Sequence, residues 1–165
     1  MKKLAIIVVL AAGMCCFGIS HSQAGTDGII TVSVTAAETV AITLSPNAWA
    51  IGEVAFTDVT TSPEYTATNT GNVTEKFTIK AANGTGGWTI QTGAIGEDIF
   101  MVGADLDPSD EYDILLWTTD ETLEDSVSFA NGTAAFKLQY STPSGDTYGQ
   151  GVAQGFVVTV TATGL

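Results

Sequence analysis

The sequence predicts an all-β fold, an antiparallel β-sandwich of roughly eight to ten strands, with a small closed barrel as the alternative. Short runs in which apolar and polar residues alternate recur along the chain, the signature of half-buried strands. Clusters of glycine, proline and asparagine separate these runs every ~8–12 residues, as turns between short strands do. Beyond the N-terminal stretch, no segment carries the 3.6-residue periodicity of an amphipathic helix.

The N-terminus is of a different kind. Lys2 and Lys3 precede the apolar run Leu4 to Cys16, and Ser22-Gln23-Ala24 place small residues ahead of Gly25. That layout predicts a secretory signal peptide over residues 1–24, with residues 25–165 as a single β-sandwich domain. The apolar part, Leu4 to Ile19, is shorter than the roughly 20 residues a spanning helix needs. Met14 before Cys15, and Cys15 before Cys16, depart from the small residue that precedes a lipid-modified bacterial cysteine. The expected location is secreted, extracellular or at the cell surface, with no membrane span in the exported part.

Ile29 to Thr35 alternates, with Ile30, Val32 and Val34 on one side, and Val40, Ile42 and Leu44 alternate after the break Ala36-Ala37-Glu38. These read as two opening strands, or as one strand that switches sheets at the break. Ser45-Pro46-Asn47 turns the chain; Trp49, Ile51, Val54 and Phe56 then predict a short strand or an apolar turn packed on the core. Ser62-Pro63 is another break. Tyr65 and Ala67 lead into Asn69-Thr70-Gly71-Asn72, whose residues tolerate positive φ and predict a tight reversal between two paired strands. In the next strand Phe77, Ile79 and Ala81 alternate with Lys76, Thr78 and Lys80. Asn83 to Gly87 interrupts, and Trp88 and Ile90 resume the alternation, with Trp88 as the expected core anchor.

Gly93 and Gly96 bracket a loop before a strand in which Phe100 and Val102 share a face. Asp105 to Asp113 is the most acidic window. Ile114 to Trp117 follows as a continuous apolar run, expected as a strand buried on both faces. Asp120 to Asp125 reads as an acidic loop, and Val127 and Phe129 alternate up to the turn Asn131-Gly132. In the strand Ala135 to Tyr140, Phe136, Leu138 and Tyr140 face away from Lys137 and Gln139. Thr142 to Gly155 is a loop. Phe156, Val158, Val160 and Ala162 form the inner face of a last strand whose Thr159, Thr161 and Thr163 face water. The aromatics Trp49, Phe56, Phe77, Trp88, Phe100, Trp117, Phe136 and Phe156 fall about one per strand and read as core.

Thr68-Asn69-Thr70-Gly71-Asn72-Val73, with the alternating strand that follows to Ile79, resembles the immunoglobulin-like repeats of bacterial and archaeal surface proteins. The resemblance implies an immunoglobulin-like sandwich in which Asn69, Gly71 and Asn72 form the turn and Phe77 and Ile79 enter the core. Such modules serve as spacers, adhesins, wall-associated domains and fibre subunits, so fold alone does not select among these functions.

Composition removes many chemistries. Cys15, Cys16 and His21 all fall within the predicted leader, and the chain has no arginine. Downstream of the leader, Lys76, Lys80 and Lys137 stand against all 18 carboxylates. Thiolate and imidazole catalysis, the Ser-His pairing and His or Cys ligation of a metal are therefore excluded from the exported part. Nucleic acid is excluded as a partner by charge. The carboxylate pairs Glu97 with Asp98 and Glu121 with Glu124 are of the type that hydrolyses glycosides, but nothing in the sequence fixes their separation, and the chain reads as non-enzymatic.

Asp105-x-Asp107-x-Ser109 begins like a calcium loop, then departs from one at Asp110 and Leu116, where an EF-hand has Gly and Glu. The cation site such a loop offers is a looser one, Asp105, Asp107, Asp110 and Asp113 with calcium; the competing reading is a solvated acidic loop. No other cofactor is implied. The expected function is a structural protein of the cell exterior, a self-assembling fibre or surface-coat subunit whose opening strand Ile29 to Thr35 pairs with a neighbouring copy. The alternative is a carbohydrate-binding or adhesion module that presents exposed aromatics to polysaccharide, Tyr112 in the acidic loop and Tyr148 in the glycine loop first among them.

Overall fold

The computed structural model describes residues 31–107, 112–148 and 153–165. Two units make up the chain, Met1–Thr35 and Ala36–Leu165. The predicted leader lies outside the described residues, as do Ile29 and Ile30. In the first unit, residues 31–35 are exposed and belong to no strand, so the predicted opening strand is not formed there.

In Ala36–Leu165 the alternating runs become ten strands, and there is no helix among the described residues. They are β1 (Ile42–Ser45), β2 (Val59–Thr61), β3 (Tyr65–Asn69), β4 (Glu75–Ala81), β5 (Thr89–Ile90), β6 (Ile99–Asp105), β7 (Ile114–Leu115), β8 (Glu121–Val127), β9 (Thr133–Ser141) and β10 (Val158–Gly164). The larger sheet runs β1-β3-β9-β6-β5, with β2 also on β9 and β7 on β6; the smaller runs β10-β4-β8. All pairs are antiparallel except β5 beside β6. The fold is all-β and sandwich-like.

β2 and β3 lie on the same side of β9 and act as one broken strand. Thr61 faces Gln139 and Tyr65 faces Phe136, so the β2–β3 side carries one residue more than β9 between these pairs. The extra residue is accommodated at Ser62-Pro63-Glu64, where the Ser62 N–H donates to Leu138 O and Ser62 Oγ accepts from Leu138 N, both at 2.8 Å. Proline, which lacks an N–H, is tolerated at such a bulge.

Alternation explains the core. In β4, Glu75, Phe77, Ile79 and Ala81 point inward, and Phe77 and Ile79 are completely buried. They face Phe100, Val102 and Ala104 of β6 and Phe136, Leu138 and Tyr140 of β9 within one cluster. Phe156, just before β10, stacks on Tyr140 (5.4 Å) and lies 5.2 Å from Phe100, linking the approach to the smaller sheet with the larger one. Each buried ring contributes on the order of 2–3 kcal/mol by area.

Several expectations are corrected. Asn69-Thr70-Gly71-Asn72 does not reverse the chain between paired strands: β3 belongs to the larger sheet and β4 to the smaller, so this is a crossover between layers. No residue of it has positive φ. Trp88 is half-buried, and Phe77 and Phe100 are the fully buried rings instead. Residues 46–56 form no strand: Trp49 and Ile51 pack against the core, while Val54 and Phe56 remain more than a third exposed. Ile114 to Trp117 yields a two-residue strand, Ile114–Leu115, that is half-buried, and the one buried residue of the run is Leu116 just after it. Asp120 to Asp125 is no loop, because β8 runs through it. Its buried residues, Leu123 and Val127, keep the two-residue parity, but the exposed Asp125 between them interrupts the apolar alternation that would have revealed the strand, and the pairing with β4 is bulged opposite Glu75–Thr78. The loop after β9 starts buried: Thr142 Oγ1 donates to Ala55 O (2.8 Å) and Asp58 O (2.9 Å).

Candidate functional site

The acidic loop is closed at its base by strand pairing. Gly103 and Ala104 of β6 pair with Leu115 and Ile114 of β7, and the Asp113 N–H donates to Ala104 O at 2.9 Å. This returns Asp113 to Asp105, and carboxylate oxygens of Asp105, Asp107 and Asp113 lie within 4.8 Å of one another. Asp110, the fourth predicted ligand, is outside the described residues. Two of the carboxylates also serve the backbone: Asp105 Oδ1 accepts from Asp107 N (3.1 Å) and Asp113 Oδ2 from Leu106 N (2.7 Å). Oxygen-only donors of this kind suit a hard cation such as calcium, and the same hydrogen bonds shape an ordinary polar loop.

The two tyrosines singled out from the sequence rest on different elements. Tyr112, 37% exposed, lies against Gly103 of β6. Tyr148, 55% exposed, covers Gly87 in the β4–β5 loop, where a Cβ would stand 2.6 Å from its ring. Asp146 fixes this corner by accepting from Tyr148 N (2.8 Å) and Trp88 Nε1 (3.3 Å). Asp98, from one of the carboxylate pairs, is likewise occupied: it accepts from the backbone N–H and the hydroxyl of Thr147. Glu121 and Glu124 are exposed on β8.

A cleft opens between residues 46–56 and 153–158. One part, about 490 Å³, is lined by Trp49, Ile51, Tyr65, Phe136 and Val158, among others. The other, about 830 Å³, is bordered by Val54, Phe56, Trp88 and Tyr140, and Phe156 and Gln154 line both. Burial pushes the Tyr140 hydroxyl up to about 12 and raises that of Tyr65, so both stay neutral at physiological pH. Gln154 Nε2 donates to Gly86 O, while its buried Oε1 has no hydrogen-bond partner.

The crossover Asn69–Glu75 holds the chain just before β1. Asn72 Oδ1 accepts from Thr39 N (2.6 Å) and its Nδ2 donates to Ala37 O (2.8 Å), so one side-chain amide reads a strand backbone as a neighbouring strand would. Asn72 N donates to Thr39 O and Thr70 N to Ala41 O. Glu75 Oε1 accepts from Ala41 N at 2.8 Å, and the fully buried Glu75 leaves Oε2 without a hydrogen-bond partner. Gly71 permits this close approach: a Cβ there would lie 2.3 Å from Thr39 O and 2.6 Å from Glu75 Oε1. Asn69, also fully buried, donates to Val73 O and Val127 O and accepts from Gly71 N. The sequence reading missed Asn69 and Glu75 as buried groups, although their place in the alternation gives them away: Asn69 shares parity with Tyr65 and Ala67, and Glu75 with Phe77 and Ile79.

The edges of the smaller sheet differ. β8 exposes Glu121, Glu124 and Asp125, with Lys76 paired to Asp125 at 2.7 Å and Lys80 to Asp120 at 3.2 Å. β10 carries no charged residue, and among the described residues it pairs with β4 alone.

These features define an all-β, sandwich-like protein with an exposed segment at residues 31–35, a partly apolar cleft and an uncharged seven-residue edge on the smaller sheet. Compared with known proteins, the chain matches no family model, no curated protein and no solved structure at a significant level.

Proposed function

We propose that the protein is a secreted, non-catalytic structural subunit of the cell exterior, an immunoglobulin-like sandwich that assembles into a fibre or coat through the segment Ile29 to Thr35. One observation carries this reading. Thr31 to Thr35 has the alternation of a half-buried strand yet belongs to no strand, leaving Val32 71% and Val34 85% exposed. Burying such a valine against a neighbouring sheet yields roughly 1.5–3 kcal/mol, and main-chain hydrogen bonds to a strand edge add affinity. The clamp at Asn72 and Glu75 supports the same reading, since it fixes residues 37–41, the stretch that follows this segment.

The test is light scattering across protein concentration on the protein expressed from residues 1–165. The expected result is a mass that grows with concentration, and a Val32→Asp/Val34→Asp variant that stays monomeric with an unchanged melting temperature. A variant that assembles like the parent would overturn the proposal.

A second reading, a carbohydrate-binding or adhesion module, is favoured by the cleft, where Trp88, Tyr140 and Phe156 accompany the unpartnered Oε1 of Gln154. Aromatic faces with a few polar groups suit a sugar. Retention on insoluble polysaccharides, with a change in tryptophan fluorescence on adding the soluble oligosaccharide, is expected on this reading; neither occurring would refute it.

A further inference from the structure

We infer that the acceptor for this segment is the free edge of β10, and that its occupant is Thr31–Thr35 of a second copy of the chain; the inference rests on the assembly reading above. A sheet edge offers unpaired N–H and C=O groups, and proteins that must stay apart protect such edges with charge. The smaller sheet protects one edge and not the other. β8 is fenced by Glu121, Glu124 and Asp125, whereas β10 is Val-Thr-Val-Thr-Ala-Thr-Gly without a charged side chain.

Charge leaves this edge, the longer of the uncharged sheet ends, open to a second copy. The chain carries a formal net charge of −13, so most approaches bring carboxylates together. Thr147 to Leu165 is entirely uncharged, and so is Gly28 to Ala37. Pairing these two stretches brings backbone to backbone without burying an ionised group, the costly step in closing an interface.

The side-chain patterns also agree. Along β10, Val158, Val160 and Ala162 are half-buried and Thr159, Thr161 and Thr163 exposed. Thr31–Thr35 has the same period, with Val32 and Val34 on one side and Thr31, Ser33 and Thr35 on the other. Laid beside β10, it continues the apolar face inward and the hydroxyl face toward water, the requirement that sets strand register. Space exists at the start of the strand: Val157 is 60% exposed, and Val157 and Val158 border the 490 Å³ opening beside Trp49 and Ile51. At the other end, a Cβ on Gly164 would be 3.1 Å from Val40, so the edge is confined there.

The experiment compares charge placed on the two edges. Thr159→Asp/Thr161→Asp puts two carboxylates on exposed positions of β10; Thr122→Asp/Ser126→Asp adds the same charge to exposed positions of β8. The β10 variant is expected to raise the protein concentration at half-assembly at least tenfold while melting like the parent, and the β8 variant to leave it within twofold. If Val32→Asp/Val34→Asp abolishes assembly but the β10 variant assembles normally, the acceptor assignment falls and the assembly reading stands. If the Val32→Asp/Val34→Asp variant assembles normally, the assembly reading itself falls. Cross-linking decides independently of any change in stability. In a Cys15→Ala/Cys16→Ala background, chains with Ser33→Cys are mixed with chains bearing Thr159→Cys, Thr161→Cys or Thr163→Cys. An intermolecular disulfide with at least one of the three, and none with Thr122→Cys, is expected; the reverse pattern overturns the assignment.

Discussion

Two polar loops look alike in the sequence and behave oppositely in the fold. Asn69–Glu75 and Asp105–Asp113 are both rich in turn residues and both join strands. The first is an interior joint: Asn69 and Glu75 are fully buried, and Asn72 and Glu75 grip the backbone of residues 37–41. The second lies at the surface, with Asp107 and Asp113 exposed and the carboxylates serving nearby N–H groups. The difference teaches that a polar side chain enters a core where backbone groups of another segment await it. Asn69 donates to Val127 O of β8 as well as to Val73 O of its own crossover, whereas among the described residues Asp105 and Asp113 accept from N–H groups of their own loop.

Substitutions can break this contrast. Asn69→Ala has the largest expected effect, a loss of about 3–4 kcal/mol, because it removes three hydrogen bonds and strands buried backbone groups. The urea midpoint at unchanged m-value measures it, and a loss below about 1 kcal/mol would mean that water replaces the amide. Gly71→Ala comes next, at about 2–3 kcal/mol, since the added methyl meets the Thr39 carbonyl and the Glu75 carboxylate. Asn72→Ala removes one exposed two-bond contact and should cost about 1 kcal/mol. Its sharper readout is faster hydrogen exchange at Thr39 and faster proteolysis within residues 36–41, and unchanged protection would remove the clamp from the account. The smallest effect is expected at the acidic loop. With Asp105 and Asp113 serving backbone donors, millimolar calcium should move the melting temperature by no more than about 1 °C, and a rise of several degrees, lost in Asp105→Asn, would make the loop a cation site after all.

Where one face of a strand is wet, the alternation is clean in the sequence, and Phe77–Ile79, Phe136–Tyr140 and Val158–Thr163 all occupy the sides it indicates. It fails for β8, where Asp125 stands between the buried Leu123 and Val127 and acidic residues hide the strand. β2, three residues beside a proline bulge, is too short to signal itself. Tyr112 and Tyr148 are exposed, as their loops suggest; Gly103, which seats Tyr112, is nearby in the chain, but Gly87, which seats Tyr148, lies five strands earlier, a pairing that only folding reveals. Of the predicted ligands, the closure of β6 on β7 brings Asp105, Asp107 and Asp113 together.

The sequence by itself determined the all-β class, the inward faces of the long strands and the absence of charge from both Gly28–Ala37 and Thr147–Leu165, because these depend only on residue type and a two-residue period. Tertiary structure decided the rest. It alone makes Asn69–Asn72 a crossover between sheets, seats Glu75 under the backbone of Ala41 and leaves β10 as an uncharged edge. Those outcomes depend on which strands become neighbours, a matter of long-range packing that no local pattern encodes.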